Sequence, residues 1–219
     1  MRESLLVVGP DSSVKSAFAL AREIFPDRKI VCHEAPTTDY YRFDLSGLSA
    51  FPAEKWEIAI AVNEYWINDV RRAFHEAIAA RGGYREISLI SPRASVSPDA
   101  EIGKGSLVYG GCFLGGGCQV GRHAVLRPNV FLGENVRIGN YVTLEANVSI
   151  REDCCVGDFV TVCANSSLLL RTSVGAHCYL NLARQYSGKI RSGTFYSPMF
   201  ENPIHFFGEG FTPEPESVT

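Results

Sequence analysis

A six-residue period governs the middle of the chain. From about residue 94 to about residue 194 an aliphatic side chain returns at every sixth position: Val96, Ile102, Val108, Leu114, Val120, Leu126, Leu132, Ile138, Leu144, Ile150, Val156, Val162, Leu168, Val174 and Leu180. Two positions earlier stands a small or β-branched residue, among them Ala100, Ser106, Cys112, Cys118, Val130, Val142, Cys154 and Cys178. Glycine follows every third aliphatic at Gly103, Gly121, Gly139, Gly157 and Gly175, and Gly193 continues the same spacing after Ser192, so the true repeat is three hexapeptides. A short strand with its aliphatic turned inward, then a corner at positive φ, repeated three times per turn, closes a triangular prism of parallel strands.

Folding the sequence into such coils predicts which residues stack, one strand spacing of roughly 4.8 Å apart. Asn129, Asn147 and Asn165 fall in one corner column, where asparagine tolerates the left-handed conformation and its amides can bond to one another. His123, Tyr141, Phe159, His177 and Phe195 fall in a second column. Arg127 is placed under Glu145, Asp153 under Arg171, and Glu134 under Glu152. Most of these columns serve the packing of the coil.

Charge and composition exclude several classes. A formal net charge of −3 gives no electrostatic footprint for nucleic acid or an anionic membrane. No apolar run has the length or flanks of a signal peptide or a membrane span, so no membrane insertion and a cytoplasmic location are expected. Of the seven cysteines, Cys112, Cys118, Cys154 and Cys178 occupy inward slots of the coil, and Cys32, Cys155 and Cys163 form no CxxC or Cys/His spacing. Reduced thiols and no metal are the expectation.

Ahead of the repeat the hydrophobic pattern alternates between strand and helix. Ser4 to Val8 reads as a strand, with Asp11 and Ser12 capping a helix that follows it. Lys29 to Cys32, Glu57 to Val62 and Glu86 to Ile90 read as further strands, and Asn68 to Ala80 as a second helix closed by Gly82-Gly83. This alternation predicts a parallel sheet covered by helices. Residues 1–91 are assigned to this small α/β domain, 92–195 to the coil and 196–219 to a tail. Tyr196 to Phe200 and His205 to Phe207 are apolar enough to pack, and 211–219 are expected to be disordered. The loop after the first strand, Val8 to Val14, lacks GxGxxG, and Asp11 opposes a diphosphate. Open α/β sheets bind ligands at the carboxyl ends of their strands, which singles out Gly9, Ser12, Glu34 and Asn63 as candidates for substrate contact.

A small βαβ domain leading through Ile90-Ser91-Pro92 into hexapeptide repeats resembles the bacterial sugar acyltransferases of the NeuD and PglD type. The stretches that carry the likeness are the first strand and helix, Ile58 to Arg71 with Asn63, Asn147 to Val162, and Phe200-Glu-Asn-Pro-Ile204. The resemblance implies a left-handed parallel β-helix, an exception to right-handed crossovers. It also implies acetyl-CoA as acyl donor, a nucleotide-linked sugar as acceptor, a homotrimer, and a role in surface glycan synthesis.

Where that family carries its catalytic histidine, before Asp-Cys, this chain has Glu152. The histidine near the thioester falls on Thr161, and that of the sugar-nucleotide loop falls on Ser13. Without the histidine, an amine acceptor is the easier case, because a partly unprotonated amine attacks a thioester unaided once it is held in place. Glu152 above Glu134 forms a candidate carboxylate pair in which like charge makes one member a base, while Arg151 beside them favours a plain salt network. The competing reading is a non-catalytic member that retains the scaffold as a binding or structural subunit.

Overall fold

The computed structural model describes residues 4–10, 12–62 and 67–206. Strand β1 (Ser4–Gly9), helix α1 (Ser13–Ile24), strand β2 (Lys29–Glu34), a hairpin of β3 (Thr37–Asp39) and β4 (Arg42–Phe43), strand β5 (Trp56–Ile60), helix α2 (Asn68–Ala80) and strand β6 (Arg85–Glu86) build the first part. Its parallel sheet has the order β2-β1-β5-β6. Leu5 to Val8 are fully buried because helices or loops cover both faces, as expected of a parallel sheet. The hairpin between β2 and β5 has no counterpart in the sequence reading. Ser12 occupies the N-cap of α1 but makes no side-chain capping bond. Helix α2 has the predicted limits and ends at Gly82 and Gly83, at φ 74° and 81°.

The strand expected over Glu86 to Ile90 divides. Arg85–Glu86 completes the α/β sheet, and β7 (Leu89–Ile90) is already a rung of the coil, paired in parallel with Leu107–Val108. From there, two-residue strands wind into three parallel faces and form a left-handed β-helix. Every inward aliphatic from Val108 to Leu180 is at most 4 % exposed, and together they form one continuous core. Each such burial contributes roughly 1.5–3 kcal/mol. All seven cysteines are free, and burial pushes the thiols of Cys112, Cys118, Cys154 and Cys178 up.

The corners carry positive φ on non-glycine residues, including His123, Asn129, Tyr141, Asn147, Asp153, Phe159, Asn165, Arg171 and His177. A side chain there costs about 1–2 kcal/mol, and stacking along the columns offsets that cost. Asn129 Nδ2 donates to Asn147 Oδ1 at 3.2 Å and Asn147 Nδ2 to Asn165 Oδ1 at 3.0 Å. His123, Tyr141, Phe159 and His177 stack with ring centroids 4.6–5.3 Å apart. Arg171 Nε lies 3.8 Å from Asp153 Oδ2.

Two details of the column arithmetic are corrected at the last turn. Ser173 pairs with Lys189, so this coil is two residues short. Gly193 therefore takes the corner position at φ 69°, and Phe195 pairs with Tyr179 on a strand instead of stacking on His177. Pairing also runs past residue 195, where the coil was expected to end. Thr194–Tyr196 adds a parallel rung, and Ile204–His205 pairs antiparallel to it.

The outward slots of the three faces differ. On the face containing Leu107–Val108, the α/β part covers the coil: Leu107 and Val125 are 3 % exposed and pack with Leu5, Val14 and Leu20. On the next face the equivalent Phe113 and Phe131 stack on each other at 5.2 Å and are 42 % and 39 % exposed.

Candidate functional site

Three regions hold the residues of interest. At the carboxyl end of the sheet, Gly9 and Glu34 are direct partners across β1 and β2, and Ser12 opens α1 beside them. Gly9 is required by packing: a Cβ there would come within 1.9 Å of the Ala61 carbonyl oxygen. Glu34 and Ser12 are exposed, whereas Asn63 lies outside the described residues.

On the coil, the Asp153 amide donates to the Glu134 carbonyl at 3.0 Å and the Arg171 amide to that of Glu152 at 3.1 Å, so these residues stack in the expected column. Glu134 is exposed and Glu152 half-buried. Arg151 Nε stands 3.3 Å from Glu152 Oε2. That oxygen is buried and accepts no hydrogen bond, so the pair is electrostatic and poorly aligned. Thr161 is on the face toward α2, and its hydroxyl accepts from Asn68 Nδ2 at 3.0 Å.

The third region is the seam between α2 and the corner column of the coil. Arg71, 2 % exposed, donates through Nη1 to the His123 carbonyl at 3.0 Å and through Nη2 to Thr143 Oγ1 at 2.6 Å. Thr143 in turn donates to Asn68 Oδ1 at 2.8 Å. One turn further along α2, the ring of His75 lies 4.0 Å from that of His123, and its Nδ1 is 3.0 Å from the Tyr141 hydroxyl. Glu86, at the end of β6, closes the cluster, with Oε2 3.7 Å from His75 Nε2 and Oε1 3.4 Å from His123 Nδ1. Asp69 reaches the same column higher up, 3.6 Å from His177 Nδ1.

Burial dominates the electrostatics of this seam. Desolvation pushes Glu86 up to about 7 against the pull of Lys104 and Arg122. Desolvation first, then the charges of His75, Arg71, Arg122 and Lys104, depress His123 to about 3. His75 is lowered as well, mainly by burial. A cavity of about 160 Å³ opens beside the cluster, with His75, Tyr84, Glu86 and Lys104 on its wall.

The sequence places His123 in a ring column and His75 within the second helix, with nothing to connect them. Glu86, Arg71 and Asn68 were missed as partners. One signal was available for Glu86: two coils back from His123, at the 18-residue spacing seen between stacked corners, lies Ile87, next to that carboxylate.

Residues 129–164 match the family model described as bacterial transferase hexapeptide (six repeats). The acetyltransferase domain of PglB from Neisseria gonorrhoeae is 20 % identical, superimposes with a TM-score of 0.77, and the match covers 88 % of this chain and 95 % of that one. The same domain in complex with acetyl coenzyme A gives 21 % identity, a TM-score of 0.76 and coverage of 89 % and 96 %. PerB from Caulobacter crescentus, in complex with CoA and GDP-perosamine, gives 18 % identity, a TM-score of 0.54 and coverage of 89 % and 95 %. No curated protein sequence matches this one. At these identities the likeness is one of fold.

Proposed function

We propose that this hexapeptide-repeat protein, with its left-handed β-helix and leading α/β part, is an acyl-CoA-dependent acyltransferase that acetylates the amine of a nucleotide-linked sugar for surface glycan synthesis. One observation carries the proposal. The likeness to the PglB acetyltransferase domain runs through both parts of the chain, over 88 % of its length, instead of being confined to the widespread repeat. One of those structures was determined with acetyl coenzyme A and another with CoA and GDP-perosamine, which supports the donor and acceptor classes proposed here.

In this reading residues 1–91 hold the acceptor, through Gly9, Ser12, Glu34 and Asn63, and residues 92–195 hold the donor, with Thr161 near the thioester. The acceptor amine attacks the thioester carbonyl, a C–N bond forms, the C–S bond breaks, and the amine proton passes by way of Glu152, with Glu134 beside it, to the departing CoA sulfur. An amine suits a site without a histidine base. A homotrimer is proposed on the exposed Phe113–Phe131 stack, an apolar strip that a second subunit would cover. The work is assigned to the cytoplasm, where acetyl-CoA is made.

Calorimetric titration with acetyl-CoA, then with nucleotide-linked amino sugars including GDP-perosamine, tests the assignment. Saturable binding of both, with acetyl-CoA still bound by Glu152→Ala, is the expected result, and no binding of either to the folded protein would end it. A second reading, a scaffold without turnover, is favoured by the Arg151–Glu152 contact and by the use of the Thr161 hydroxyl by Asn68. That reading predicts binding without acyl transfer, or no binding.

A further inference from the structure

We propose that His75, Glu86 and His123 form a binding site for a transition-metal ion of the zinc type, bridging the α/β part and the first turns of the coil. One donor atom from each of the three lies within 4.8 Å of the others. Glu86 turns one oxygen to each ring, Oε1 at 3.4 Å from His123 Nδ1 and Oε2 at 3.7 Å from His75 Nε2, both near the roughly 3.3 Å between ligands of a tetrahedral zinc ion bound at about 2.0–2.1 Å.

Two of the three donors are unspent. His123 and Glu86 are 3 % and 8 % exposed, and His123 Nδ1 and Glu86 Oε1 are buried atoms with no hydrogen-bond partner. Such atoms are costly to leave bare, and a cation between them satisfies both at once. The third ligand is oriented: Tyr141 Oη, 3.0 Å from His75 Nδ1, holds that ring so that Nε2 faces Glu86, the outer-shell arrangement usual for a metal-bound imidazole.

Space is left for an ion as well. The corner position one coil before His123 is Gly105, where a Cβ would come within 2.7 Å of the His123 ring and 2.8 Å of Glu86 Oε1. Later corners of the column carry rings. The adjoining cavity gives a fourth coordination position to water.

Two imidazoles and one carboxylate suit zinc or cobalt, and not calcium or magnesium, which demand oxygen shells. Arg71, Lys104 and Arg122 act on the same cluster and weaken the site without occupying it. The ligands come from α2, from β6 and from the coil, so a bound ion ties together three elements that are distant in sequence.

The full chain, stripped with a chelator and dialysed against Zn²⁺ or Co²⁺, tests this. One ion per chain is expected, with visible Co²⁺ bands of a low-coordinate nitrogen–oxygen site and a rise in melting temperature. His75→Ala and His123→Ala should lose the ion, and His177→Ala, altering an exposed histidine of the same column, should keep it. Tyr141→Phe, which leaves all three ligands in place, should weaken binding about tenfold or more. Glu86→Gln gives a near-isosteric check should the histidine variants fail to fold, and it too should lose the ion. A folded chain that takes up no ion overturns the proposal. So does uptake that survives His75→Ala and Glu86→Gln, or that disappears in His177→Ala.

Discussion

The coil and the seam are built by opposite means. In the coil, a residue's neighbours stand one turn away in sequence, so Asn129 meets Asn147 and Tyr141 meets Phe159 by counting alone. At the seam, His75, Glu86 and His123 meet across separations that follow no period, because the packing of α2 against the corner column determines them. Repetition gives many equivalent, modest contacts, whereas the seam gathers several costly buried polar groups at one place. Stability in the coil is therefore distributed, and sensitivity to pH is concentrated at the seam.

If the coil is as uniform as its geometry, equivalent substitutions cost the same along it. Leu126→Ala and Leu144→Ala, at fully buried rungs one coil apart on one face, should each lose about 2–5 kcal/mol and agree within about 1 kcal/mol in urea unfolding. A large disagreement would break the comparison.

The seam should respond to pH instead. Burial raises Glu86 in the folded chain to about 7 from 4.5, so its stabilising contribution is full below pH 4.5 and is lost as pH rises through 7. In chelator-treated protein, Glu86→Gln should therefore exceed the natural chain in stability above pH 7, by on the order of 3 kcal/mol. That gap should close by pH 4.5. The depressed His123 has the opposite sign, its contribution being lost as pH falls from 6.5 toward 3, but it is common to both proteins. Melting curves at pH 4.5 and 8 would show the gap, and a gap independent of pH would assign Glu86 a neutral packing role.

The smallest effect belongs to the exposed amide column. Asn147→Ala should cost about 1–2 kcal/mol by placing alanine at φ 61°, while Asn147→Gly should cost less because glycine accepts that conformation freely. Equal losses would mean that the amide ladder, and not the corner backbone, carries the preference.

The legibility of the sequence follows the same division. The inward aliphatics, the small inward cysteines, the asparagine ladder and the limits of α2 are local or periodic, and they could be read directly. Miscounting Gly193 and Phe195 came from a two-residue deletion, which periodicity cannot reveal until pairing is seen. Outward Leu107 and Val125 were a readable sign that one face is covered, set against the exposed polar Gln119 and Arg137 on another. The partners of Arg71, and the meeting of His75 with Glu86, were not readable, because no local pattern states which face of α2 meets which corner. Of the candidate site residues, Gly9 and Glu34 were brought together, and Glu152 was placed above Glu134 but in contact with Arg151.

Acyl transfer is tested by the release of free CoA thiol from acetyl-CoA by the intact protein, with and without each nucleotide-linked amino sugar. Release should depend on the sugar, with a mass increase of one acetyl group on its nitrogen, and should fall at least about 10²-fold in Glu152→Ala, as for loss of a general base. Acetyl-CoA that stays intact with every acceptor, on a chain shown to be folded, would contradict it and leave the β-helix as a scaffold.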